Sequence, residues 1–115
     1  MKTIENAKIT NVDLTMTDHG CLCLWLSLEG NGWCTNFSGR VIGKGYLGAK
    51  EFIGYEKGTE EIMRIMDVVG VERFNDMKGK YIRAELNGWG SGINKIGNII
   101  EDKWFDYNEF YSETK

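Results

Sequence analysis

The chain has 115 residues, 42% of them hydrophobic and 27% charged, with a formal net charge of −3. That length makes one domain, residues 1–115, able to bury its own core. The 14 Lys and Arg are scattered among 17 acids, which excludes the clustered basic footprint of a duplex nucleic-acid binder. No apolar run approaches the ~18 residues of a membrane span. The opening MKTIENAKIT lacks the apolar stretch of a signal peptide, so the expected location is the cytoplasm. Cys21, Cys23 and Cys34 are an odd, sparse set and read as reduced thiols. With 15 glycines and no proline, glycine must punctuate the chain.

Residues 7–17 alternate, with Val12, Leu14 and Met16 on one side and Asn11, Asp13 and Thr15 on the other. Residues 21–28 alternate again, with Leu22, Leu24, Leu26 and Leu28 on one face. Asp18-His19-Gly20 between them predicts a three-residue hairpin loop with a bulge. That register sets Met16, Leu14 and Val12 beside Leu22, Leu24 and Leu26 and keeps one face apolar. Glu29-Gly30-Asn31-Gly32 is the next turn, and residues 33–38 make a weaker third strand. Residues 39–58 hold many glycines among aromatics and aliphatics, and predict a flap or irregular segment.

From Thr59 to Leu86 the pattern is sharper. Thr59 suits an N-cap, and Glu60 and Glu61 suit the positive end of the helix dipole. Ile62, Ile65, Met66 and Val69 form one apolar stripe, closed by Gly70 with Val71 folding back. Phe74 and Met77 predict a short second turn, broken by Gly79. Ile82, Ala84 and Leu86 then alternate with Tyr81, Arg83 and Glu85 as a strand. Residues 87–92 read as a glycine-rich hairpin loop and 93–100 as the last strand. Trp104 and Phe105 anchor the tail, and residues 111–115 fray. The expected fold is α+β: a mainly antiparallel sheet of about five strands, in two hairpins, packed against one main helix.

Catalytic and metal chemistry finds little support in the residues. His19, Cys21, Cys23 and Cys34 lack the spacing of a zinc knuckle, and buried cysteines pack as small hydrophobes. His19 is the one histidine and falls in a turn with no nucleophile placed beside it. The adjacent carboxylate pairs Glu60-Glu61 and Glu101-Asp102 are not the separated pair that glycoside chemistry uses. Gly43-Lys44-Gly45 lacks the Ser or Thr of a phosphate loop. The expectation is a protein that is not an enzyme and uses no metal or cofactor.

Aromatic, Arg and Asn residues carry the binding expectation. Large rigid rings with oriented donors favour binding patches, can sandwich a base and can hold a phosphate. The candidate ligand-binding set is Trp33, Asn36, Phe37, Arg40, Arg83, Asn94 and Trp104, within a wider aromatic group that includes Trp25, Tyr81 and Trp89. The competing reading covers the second sheet face with a partner subunit, so a homodimer is also expected, and a ligand lodged between subunits satisfies both.

VGVERFNDMKGKYIR (69–83), IGNIIEDKWFD (96–106) and the DHG turn (18–20) before a leucine strand resemble a family of small phage- and prophage-encoded proteins. Its glycine-rich stretch after the second strand is recast here as EGNGWCTNFSG. The resemblance spans most of the chain and supplies no catalytic residues. It implies an accessory protein that counters host immunity in the host cytoplasm. One mode is that of the anti-Thoeris sponges, which sequester a nucleotide-derived signal. The alternatives are an anti-CRISPR-type inhibitor that binds a host defence protein, through residues 39–58 or the 101–111 tail, and a small hydrolase with an unrecognised site.

Overall fold

A computed structural model of the chain describes residues 2–18, 20–45, 51–87 and 92–112. Strands β1 (Thr3–Asp18), β2 (Cys21–Gly30) and β3 (Trp33–Lys44) form a meander, and the two-residue β4 (Ile53–Gly54) lies along the end of β3. Helix α1 (Glu56–Val69) and a 3-10 turn (Phe74–Met77) lead into β5 (Tyr81–Leu86), β6 (Ile93–Asn98) and β7 (Trp104–Asp106). Helix α2 (Tyr107–Ser112) ends the described chain. The strands form one antiparallel sheet in the order β4-β3-β2-β1-β5-β6-β7. The α+β class and antiparallel sheet are as expected. The sheet is larger, with seven described strands instead of about five, and α2 adds a second helix.

β1 is long enough to serve two partners. Thr3 to Lys8 pair with β5, and the stretch from Lys8 onward pairs with β2. Ile9 lies opposite Leu28 and Asn11 opposite Ser27, so Thr10 is an extra residue that flips the alternation. Ala7 and Ile9 point inward before it, and Val12 and Leu14 face Leu26 and Leu24 after it. The even-to-even pairing expected for this hairpin therefore holds at Val12 and Leu14. The same register continues to Thr15 opposite Cys23 and shifts only beyond it, where Asp18 pairs with Cys21. The extra residue sits inside β1 instead of in a three-residue loop. Gly20 does take a left-handed φ of 79°, whereas His19 lies outside the described residues.

The sheet curls. β3 and β6 are four ladder steps apart, yet their Cα atoms come within 8 Å of each other. Four antiparallel steps leave them parallel, and the Phe37 and Phe105 rings meet edge-on across the seam, 6.2 Å apart. α1 packs over this seam against β3, β6 and β7. The core fills the curl with Ile9, Leu24, Leu26, Phe37, Ile65, Ile82 and Ile96, among others.

α1 begins earlier than the sequence suggests. Its N-cap is Tyr55, with no side-chain cap, and Thr59 lies inside the helix, donating its backbone N–H to Tyr55 O at 3.2 Å. Tertiary contact supports this early turn: Gly58 lies against Ile42, and Lys57 Nζ donates to Phe110 O at 3.2 Å. The expected stripe is present, with Ile65 and Val69 buried and Ile62 and Met66 packed against the core. Gly70 closes the helix at φ 91°, its N–H bonded to Met66 O.

Two segments differ from expectation for packing reasons. Residues 39–44 are not a flap, because β3 continues to Lys44, where Val41 pairs with Cys23 and Ile42 is buried. The rest of the 39–58 segment supplies β4 and the start of α1, apart from residues 46–50, which lie outside the described residues. At the other end, Tyr111 and Ser112 belong to α2, with Phe110 and Tyr111 tied to the core and to α1. Residues 113–115 of the expected frayed tail lie outside the described residues.

Candidate functional site

The seven candidate residues do not gather in one place. Phe37 is a core ring, 1% exposed, and touches Phe105 and Tyr107 edge-on. Trp33 packs partly against the core and donates its indole N–H to Glu5 Oε1 at 2.9 Å, linking the start of β3 to β1. Asn94 is half-buried in a shallow cleft of about 410 Å³ shared with Lys2, Glu85 and Asp106. The Arg40 side chain lies outside the described residues.

Arg83 and Trp104 do come together. The Trp104 ring lies on Gly97, where an added Cβ would stand 2.4 Å from it. The Arg83 guanidinium carbon is 4.6 Å from the ring centroid and Lys95 Nζ is 5.3 Å away. This is a cation–aromatic cluster of the kind that stabilises a surface modestly. Arg83 also donates to Asn98 O at 2.7 Å and Glu101 O at 2.8 Å, and Trp104 donates to Asp102 Oδ1 at 2.8 Å. These bonds commit Arg83 to holding the β6–β7 turn, which leaves it poorly placed to grip a phosphate.

A different surface has the features of a recognition face. On the outer side of the meander, Asn11, Ser27 and Asn36 form one cross-strand row, because Asn11 pairs with Ser27 and Ser27 with Asn36. Ser27 Oγ donates to Asn36 Oδ1 at 3.3 Å. The next outward position on β2 is Trp25, 37% exposed, with Asp13 opposite it on β1. Trp25 lies diagonally from Asn36, a spacing of roughly 7–8 Å between Cα atoms. The face thus offers an aromatic ring beside amides and a hydroxyl that can each donate and accept. Asn36 is the one candidate residue whose described side chain stands on it. Trp25 was legible as an outward residue, since it alternates with the leucines of its strand.

Opposite Trp25 on β3 is Ser38, the one described non-glycine residue with a positive φ, 78°. Its hydroxyl donates to Glu61 Oε2 at 2.6 Å, and the Tyr111 hydroxyl donates to Glu61 Oε1. Glu61 is fully buried. The sequence pattern assigned it to the electrostatics of the helix start, because the periodicity of α1 does not reveal that β3 and α2 close over that side. Among the described residues no group of His, Cys, Asp and Glu is arranged to hold a metal ion. No described helix is long and apolar enough to cross a membrane.

Comparison with protein-family models, with curated proteins and with solved structures finds no match.

Proposed function

We propose that the chain is a non-enzymatic binding protein that takes up a nucleotide-type ligand on the outer face of β2 and β3. One observation carries the reading: exposed Trp25 lies beside the Asn11–Ser27–Asn36 row. A base stacks on any aromatic face, and neighbouring amides bond its edge. The topology lends support by analogy. A meander β1-β2-β3, a helix, then β5 beside β1 and β6 returning towards β3 is the connectivity of partly open oligonucleotide-binding barrels, which use the face of their second and third strands.

Asp13 and Glu29 on or near this face, with the net charge of −3, favour recognition of the base over the phosphate. A sequestered signalling nucleotide, as the phage-type resemblance implies, fits that chemistry. The test is titration with AMP and with a short oligo(dT) strand, followed by tryptophan fluorescence. Wild type is expected to quench on binding and Trp25→Ala to lose both quench and affinity, whereas equal binding by Trp25→Ala overturns the reading. Ligand released by denaturation should be chemically unchanged; recovery of hydrolysis products overturns the non-enzymatic assignment.

A specific feature favours the second reading, an inhibitor of a host protein. Phe52, Ile53 and Tyr55 are 63%, 54% and 38% exposed around the edge strand β4. Open strand edges with apolar side chains are surfaces that protein partners cover. A host protein retained by wild type and lost from a Phe52→Ala, Ile53→Ala double variant would favour this reading.

A further inference from the structure

We propose that Glu61 is a positioning residue for the outer face of β2 and β3, acting through Ser38. The proposal rests on the nucleotide-binding reading above and identifies what shapes that face.

Strand alternation places Asn36 outward and Phe37 inward, so an ordinary strand would send the Ser38 side chain outward beside Trp25. It does not go there. With φ at 78°, its hydroxyl reaches the buried Glu61 carboxylate on α1. Such a backbone is rarely adopted by a residue with a Cβ and persists only where its surroundings over-determine it. Here the surroundings are a carboxylate that burial makes costly to leave unbonded, and a charge-assisted hydrogen bond to it.

The same turn opens a bulge. Trp25 pairs with Ser38 and Cys23 with Val41, so Gly39 and Arg40 together oppose Leu24. The alternation then flips, which returns Ile42 to the core beside Gly58. The Ser38 side chain is thereby drawn away from the outer position facing Trp25, where a planar ligand would lie. Tyr111 bonds the other oxygen of the same carboxylate. The C-terminal helix, α1 and the face-forming strand thus meet at one group.

The test compares Glu61→Gln, Tyr111→Phe, Ser38→Gly and the Ser38→Gly/Glu61→Gln double variant. It measures hydrogen exchange at the amides of Gly39 to Val41 and affinity for oligo(dT). Glu61→Gln is expected to speed exchange there and weaken oligo(dT) roughly tenfold, the size of one charge-assisted bond. Tyr111→Phe, the milder change, is expected to act in the same direction. Glycine adopts a positive φ unaided, so the double variant should recover slow exchange and affinity. A merely structural role for Glu61 would not be rescued by Ser38→Gly, and that failure overturns the proposal. So does unchanged exchange at Gly39 to Val41 in both single variants. If wild type fails to bind oligo(dT) while the exchange pattern and its rescue hold, the nucleotide reading falls and the positioning role stands.

Discussion

Gly58 of α1 and Ile42 of β3 touch so closely that a Cβ on Gly58 would stand 2.3 Å from the Ile42 Cβ and 2.8 Å from its Cα. Neither atom can rotate away. Alanine at this position would gain about 1 kcal/mol of helix propensity. Overpacking against a fixed neighbour costs about 1–3 kcal/mol, and the rigidity of the contact puts Gly58→Ala at the upper end. The expected outcome is a net loss of about 1–2 kcal/mol in denaturant unfolding. A stabilised Gly58→Ala variant would show that α1 is not seated on β3 as described.

The Asn98 side chain ties the end of α1 to the turn after β6. Its Nδ2 donates to Val68 O at 2.8 Å at the end of α1, while its Oδ1 accepts from Ile100 N at 2.9 Å and Glu101 N at 2.8 Å. The residue is 8% exposed. Removing it leaves a buried carbonyl unbonded, a loss of about 1–3 kcal/mol. Asn98→Ala should lower thermal stability by that amount. Asn98→Asp keeps the acceptor for the turn but turns a carboxylate towards the Val68 carbonyl, so it should be no milder at neutral pH. A milder Asn98→Asp would show that the turn bonds matter more than the tie to α1.

Arg83 is expected to matter for stability more than for ligand affinity. Arg83→Ala removes two bonds to turn carbonyls and the cation beside Trp104, a loss of about 1–2 kcal/mol at this half-exposed site. Lysine keeps a charge but not the forked donation, so Arg83→Lys should recover less than half of the loss. Urea unfolding measures both. Oligo(dT) affinity reduced tenfold or more by Arg83→Ala, with stability unchanged, would move the binding site to the Arg83–Trp104 cluster.

Salt provides a separate check on the binding face. Each neutralised phosphate on a single strand contributes about −0.7 to the slope of log affinity against log salt. With Asp13 beside Trp25 and a net charge of −3, the expected slope for oligo(dT) is shallow, no steeper than about −1. A slope of about −3 or steeper would mean that several cations grip phosphates, contrary to a face that reads bases.

Local patterns in the sequence were enough to determine the strands of the first hairpin, the apolar stripe of α1, the Gly70 cap and the alternation of β5, because each depends on neighbours a few positions away. They also separated the outward Trp25 from the leucines of its strand. Only the tertiary structure decided which surfaces are covered. Phe37 looked like a binding ring and is core because the sheet curls until β3 meets β6, which brings Phe105 of β7 against it. Glu61 read as a charge complementing the helix dipole and is buried because β3 and α2 close over it. The bulges at Thr10 and after Ser38 reverse the alternation within a single strand. A one-residue insertion leaves the residue types almost unchanged while moving every later side chain to the other face. Periodicity reports that two faces differ, and the closure of the sheet selects which of them meets water.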